Sequence, residues 1–177
     1  KFVDHSHSNA ILSLIDQPDP IKICKKVFGE EMGIVPYIMP GFQLAQKAAE
    51  VFEQNPKVKG LILLNHGIFT FADDAKESYE LMIKYISLAE KELKQKSKSI
   101  RVKKYQEKKI TTSLIANLIR QQISIKANQQ IDRKVVYFHK PNFLDEFFSH
   151  PKLKQFTTQG PVTPDHVIRI KSKPLVI

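Results

Sequence analysis

Gly60-Leu61-Ile62-Leu63-Leu64-Asn65-His66-Gly67-Ile68-Phe69-Thr70-Phe71 is the stretch on which the fold turns. Its first five residues are a continuous apolar run with turn residues at both ends. A strand reads this way when both of its faces are covered. Asn65-His66-Gly67 interrupts the run, and Ile68 to Phe71 resumes as a second strand. Upstream, Leu44, Ala45, Ala48 and Val51–Phe52 repeat at helical spacing and predict a helix over 42–54, which Asn55-Pro56 ends. Downstream, Asp74-Ala75-Lys76-Glu77 has the spacing of a capping box with a carboxylate as the cap. The helix behind it is predicted to run to about Gln95, with Tyr79, Met82, Ile83, Ile86, Ala89 and Leu93 as its apolar, core-facing stripe. Strands alternating with helices imply an α/β layer structure.

Further out, 33–38 is a strand candidate, and Pro36 suits it to a sheet edge. Ile21 to Phe28 reads as a short helix and Asn9 to Ile15 as a helical turn. Between them lies the loop Gln17-Pro18-Asp19-Pro20. Phe2 to Ser8 reads as a strand whose Val3, His5 and His7 point one way. In the second half, 110–125 reads as a helix, 134–138 as a strand, 143–148 as a helical turn and 167–170 as a short strand. The end, from Gly160, carries Pro161, Pro164 and Pro174. There is no internal repeat.

The chain has 177 residues, 42% of them hydrophobic, enough for a core. No apolar run approaches the roughly 18 residues that span a bilayer. Lys1-Phe2-Val3-Asp4-His5 lacks the apolar segment of a signal peptide, and the single Cys24 permits no internal disulfide. These features together favour a cytoplasmic protein. The sequence opens inside a strand without an initiator Met, and is read as part of a longer chain. Net charge is 28 − 18 = +10. Most of the surplus lies between Lys94 and Lys109, where Glu107 is the single acid. Tyr105 is the one aromatic there, so base stacking is not supported. A solvated basic helix or connector is preferred to a nucleic-acid site.

Chemistry concentrates in the histidines. In His5-Ser6-His7 the two imidazoles share a strand face, with Cα atoms roughly 6.5–7 Å apart. They can converge on one ion at about 2.0–2.1 Å. His66 ends the buried strand, before a Gly67 that lets the backbone turn. Three protein ligands and an open position are the pattern of a catalytic zinc site. Spacing alone does not join His66 to the pair, and a polar strand end explains each histidine as well. Asp4 and Asn65 flank the ligand candidates and are candidates to hold their second ring nitrogens, or are plain strand-end residues. Thr163-Pro164-Asp165-His166 is a further cluster: His166 as a fourth ligand or an acid/base group with Asp165 orienting it, or the whole as a cap. His139 and His150 read as surface or structural residues. Cys24 reads as buried and inert. Tyr37 has no assigned role.

Phe2-Val3-Asp4-His5-Ser6-His7-Ser8 and Leu64-Asn65-His66-Gly67 resemble the class II aldolase/adducin family. The resemblance implies that His5, His7 and His66 are the zinc ligands, and the 59 residues from His7 to His66 suit it. Val35-Pro36-Tyr37-Ile38-Met39-Pro40-Gly41-Phe42, His66-Gly67-Ile68-Phe69-Thr70-Phe71, Glu77-Ser78-Tyr79-Glu80 and 160–169 resemble one subfamily, the bifunctional rhamnulose-1-phosphate aldolase/short-chain alcohol dehydrogenases. The resemblance implies a three-layer α/β/α domain with a mixed sheet at 1–93. It is followed by a basic helical insertion at 94–133 and a C-terminal closing segment at 134–177 that packs back on the domain. It implies a zinc-dependent aldolase that cleaves a ketose 1-phosphate, such as rhamnulose 1-phosphate, to dihydroxyacetone phosphate and an aldehyde. It also implies a homo-oligomer acting on a phosphorylated sugar, away from membranes. In the family a Glu upstream of the His-x-His is the acid/base, and the phosphate-binding loops also lie upstream; both are expected before Lys1, and a chain without them is expected to turn over little. No Gly-x-Gly-x-x-Gly is present, so the dehydrogenase half lies outside this sequence. An epimerase or dehydratase of the same fold, and a non-catalytic adducin-like module, are the rival expectations.

Overall fold

The computed structural model describes residues 1–96, 112–127, 130–139, 144–171 and 173–174, with backbone alone at 125–127, 130, 131 and 145. The basic stretch beyond Lys96 lies outside the described residues. The chain divides into two compact units, Lys1–Ser99 with Thr157–Ile177, and Ile100–Phe156.

The first unit is built on a four-stranded sheet. Its strands are β1 (Phe2–Ser6), β2 (Met32–Val35), β3 (Gly60–Leu63) and β4 (Gly67–Ala72), in the order β1-β4-β3-β2. β2 runs parallel to β3, while β3–β4 and β4–β1 are antiparallel, so the sheet is mixed. Every residue of β3 is buried, as its apolar run requires. β2 is an edge strand, and Pro36 follows its last residue, where no ladder donor is lost.

Helices cover both faces. α1 (Asn9–Ile15), α2 (Pro20–Phe28) and α4 (Ala75–Lys96) pack on one side. There Ile11, Leu12, Ile15, Phe28, Met82, Tyr85 and Ala89 close over Ile62 and Ile68. α3 (Phe42–Gln54) packs on the other, where Leu44 joins Val35, Leu61 and Leu63, with Phe52, Phe69 and Phe71 against them. Alternate residues of β3 therefore serve two separate cores, giving the expected α/β/α sandwich. The Asp74 carboxylate accepts the Glu77 backbone N–H at 3.1 Å and starts α4. Cys24 is buried in this core, and burial pushes its thiol up to about 11.

The buried stripe of α4 differs from the expected one. Tyr79 (58% exposed) and Ile83 face solvent, while Ser78, Met82, Tyr85, Ala89 and Glu92 are inside. Polar residues can take inward positions here because their groups are paired. Ser78 Oγ donates to Asp4 Oδ2 at 2.6 Å, and Thr70 Oγ1 donates to the Ser78 carbonyl at 3.0 Å. Glu92 accepts from Lys26 Nζ at 2.7 Å. Ser78→Ala leaves the half-buried Asp4 carboxylate without this partner. It is expected to lower unfolding free energy by about 1–2 kcal/mol in urea denaturation; an unchanged midpoint would contradict this tie between β1 and α4.

In the second unit, α5 (Thr112–Ile123) leads into a hairpin of β5 (Ile125–Ala127) and β6 (Gln130–Asp132), followed by α6 (Leu144–Phe148). The expected strand at 134–138 is not formed. Val135 and Tyr137 are almost fully exposed, and the run pairs with no strand among the described residues. His150 Nδ1 accepts the Lys152 backbone N–H, and its ring lies against Phe156, a structural role. His139 is exposed and stacks on Tyr137. α7 (Leu153–Thr158) crosses the boundary between units, and α8 (Pro164–Arg169) belongs to the first. The short strand expected at 167–170 is in fact part of α8. Thr163 caps it, Pro164 takes its first position and Asp165 its first turn. These start signals outweigh the β-branched run that follows. No helix among the described residues is long and apolar enough to cross a membrane.

Candidate metal centre

The sheet register brings three histidines to one end of the sheet. β1 and β4 pair Ser6 with Ile68 and His5 with Phe69, so the residues after β1 arrive beside the turn before β4. That turn, Leu64-Asn65-His66, is closed by the His66 N–H bonding to the Leu63 carbonyl at 3.1 Å. Asn65 supplies the left-handed conformation, φ 57°, which Asn tolerates better than most side chains. Gly67, expected to free the turn, does not take a positive φ. It is small for another reason: a Cβ there would lie 2.5 Å from the Ser6 carbonyl oxygen and 3.1 Å from His7 Cδ2.

One donor atom from each of His5, His7 and His66 lies within 4.8 Å of the others. Ring centroids stand 4.8–5.2 Å apart. The outer partners fix the tautomers of two rings. His5 Nδ1 donates to the Ile68 carbonyl at 3.0 Å, and His7 Nδ1 donates to Asp165 Oδ2 at 2.9 Å. Both acceptors lack a proton to give, so each Nδ1 carries the hydrogen, and in the neutral ring each Nε2 then presents a lone pair. Those two Nε2 atoms face each other at 3.0 Å. Two lone pairs that close repel unless a proton or a cation lies between them. His66 adds a second sign: its Nδ1 is buried and has no hydrogen-bond partner, alone in this among the buried side-chain atoms of the described residues. A bare buried acceptor or donor is costly. Three imidazoles, two with lone pairs aimed inward and one with an orphaned nitrogen, fit a divalent metal of the zinc type.

Burial lowers the proton affinity of His5 and of His66. The neighbouring histidines lower it further in both, while the bond to Ile68 partly offsets this in His5. Both shifts favour the neutral ring, the form that binds a metal. Below the ordinary histidine value of about 6.5 the unfolded chain takes up these protons more readily than the folded one. The stability this gives is complete above about 6.5 and is lost as pH falls from that value through the lower folded values of the two rings. Metal is expected to dissociate over the same descent. A chelator competition from pH 8 to pH 5 checks it, and affinity that rises on acidification would contradict it.

The other expected site residues are placed as follows. Asp4 bonds Ser78 and Asn65 donates to Asp16 Oδ1 at 2.8 Å, so neither holds a ligand ring. His166 lies outside the group of three, and its Nδ1 is engaged by Thr163 Oγ1. Asp165 does not orient His166; it reaches His7 instead, and that bond holds its carboxyl below the usual carboxylate range. The Ile68 carbonyl is a partner that sequence reasoning missed, because backbone groups carry no signal of their own. Tyr37 is exposed.

Comparison with known proteins adds to this geometry. Residues 1–93 match the family described as "Class II Aldolase and Adducin N-terminal domain", and residues 110–177 match "Aldolase class II, second domain". A curated relative, "Uncharacterized oxidoreductase YuxG" of Bacillus subtilis, is 26% identical over the whole chain, which spans 26% of that protein's length. Two solved structures are also similar. One is the N-terminal class II aldolase domain of a conserved protein from Thermoplasma acidophilum, at 39% identity and TM-score 0.47, covering 52% of this chain and 42% of that one. The other is an aldolase II superfamily protein from Pseudomonas syringae, at 14% identity and TM-score 0.43, covering 52% and 38%.

Proposed function

We propose that this chain, which belongs to the class II aldolase and adducin family, is a zinc-dependent aldolase acting on a ketose 1-phosphate such as rhamnulose 1-phosphate. The products are dihydroxyacetone phosphate and an aldehyde. The observation that carries the reading is the convergence of one donor atom each from His5, His7 and His66, with the Nε2 atoms of His5 and His7 3.0 Å apart and a buried His66 nitrogen left without a hydrogen-bond partner. The close approach of the two Nε2 atoms is costly unless a proton or a cation lies between them. His5, His7 and His66 hold the metal. When bound, a divalent ion supplies Lewis acidity to a substrate ketone oxygen and to the negative charge that carbon–carbon cleavage leaves on it. The chain's own contribution is placement. The Ile68 carbonyl fixes the tautomer of His5, and partial desolvation favours the neutral forms of His5 and His66. His5 is exposed, so one side of the group is open to a ligand.

The segments 1–93, 94–133 and 134–177 are assigned as aldolase core, basic helical insertion and closing segment of one subunit in a homo-oligomer. The name of the Bacillus relative, and the quarter of its length that the chain spans, support placing the chain in a longer bifunctional protein with a dehydrogenase part. The test is product analysis with rhamnulose 1-phosphate and zinc, on the protein that contains this chain. Dihydroxyacetone phosphate that disappears with a chelator supports the aldolase. An isomerised sugar phosphate without cleavage supports an epimerase instead, and neither metal nor product supports an adducin-like module.

A further inference from the structure

The metal reading uses residues from the first 66 positions, yet one bond to the site comes from the far end of the chain. Asp165 stands in the first turn of α8 and reaches His7 Nδ1 at 2.9 Å across 158 residues of sequence. Three features set this apart from an incidental surface pair. The bond is to the ring nitrogen that faces away from the other histidines, so it decides which nitrogen faces them. The ring it orients presents its Nε2 3.0 Å from that of His5. The helix that carries the carboxylate is fixed locally: Thr163, itself buried, caps it and bonds the ring of His166. Pro164 at its first position presets the backbone. The Thr-Pro-Asp-His run thus places one carboxylate in the first turn of α8, within hydrogen-bond reach of His7.

We propose that Asp165 is a positioning residue for the metal centre: it holds His7 in the Nδ1–H tautomer with Nε2 aimed at the ion, and makes α8 part of the site. The inference rests on the metal reading. Carboxylate–histidine–metal triads act by fixing ring orientation and raising ligand basicity, and losing the outer partner costs roughly 10–100-fold in affinity. Coupling is reciprocal. The bond that improves the metal site also ties the C-terminal segment to it, so metal binding is expected to slow amide exchange in 163–170.

The test uses the full chain with Asp165→Ala and Asp165→Asn. Zinc affinity is measured by competition with a chromophoric chelator, and the tautomer of His7 by imidazole ¹⁵N shifts in the metal-free protein. Asp165→Ala is expected to bind zinc about 10–100-fold more weakly and to lose the fixed Nδ1–H state. Asp165→Asn, whose amide oxygen still accepts, recovers most of both. Wild-type affinity and an unchanged tautomer in Asp165→Ala would overturn the proposal. If the wild type binds no zinc, the metal reading fails by itself. The tautomer comparison then still decides whether Asp165 orients His7.

Discussion

Replacing His66 with alanine is expected to abolish stoichiometric zinc binding while leaving the fold in place. His66 stands in the turn between β3 and β4 rather than in either strand. The conformation of that turn is carried by Asn65, by the His66 backbone N–H and by the pairing of Leu63 with Gly67, none of which needs the imidazole. The substitution also removes the orphaned buried Nδ1, so apo stability is expected to hold or rise slightly. The loss of affinity should exceed the roughly 10–100-fold that follows removal of an outer-shell partner, because a ligand itself is gone. Chelator competition reads the affinity, and circular dichroism with thermal unfolding controls for the fold. Unchanged affinity in a folded variant would remove His66 from the site.

Gly67→Ala is expected to damage fold and site together. The new Cβ would meet the Ser6 carbonyl oxygen at 2.5 Å, a backbone atom that cannot swing away. Relief requires β1 and β4 to separate at the point where His7 leaves the sheet, with His7 Cδ2 as the next obstacle at 3.1 Å. Overpacking typically costs about 1–3 kcal/mol, and a clash with backbone belongs at the upper end. Because any relief moves His7 relative to His66, zinc affinity should fall with stability. A variant that unfolds at the wild-type denaturant midpoint and binds zinc equally well would show that the close approach is not a constraint.

Much of the first unit is legible in sequence because period and punctuation agree there. The apolar run at Gly60 to Leu63 is buried throughout, and α3 has its predicted limits, set by Pro40-Gly41 before it and Asn55-Pro56 after it. The triad was legible only through the family motifs. A His-x-His pair says which face its rings share, but not what arrives opposite. What failed depended on partners that no local pattern encodes. The run at 134–138 has strand composition but no ladder to join among the described residues. At 167–170 the capping threonine and Pro164 decide for a helix, against β-branched side chains. On α4 the core takes Ser78 and Glu92 in place of Tyr79 and Ile83, because Asp4 and Lys26 are positioned to satisfy them. The bond from Asp165 to His7 has no one-dimensional signal beyond the helix-start residues around Asp165.

The most direct measurement of the central claim is X-ray absorption at the zinc edge on the chain loaded with zinc and dialysed free of excess. One zinc per chain is expected, with three imidazole nitrogens at about 2.0–2.1 Å and the remaining coordination from a light oxygen donor. Sulfur from Cys24 in the first shell, an all-oxygen shell, or less than stoichiometric zinc would contradict a metal centre built on His5, His7 and His66.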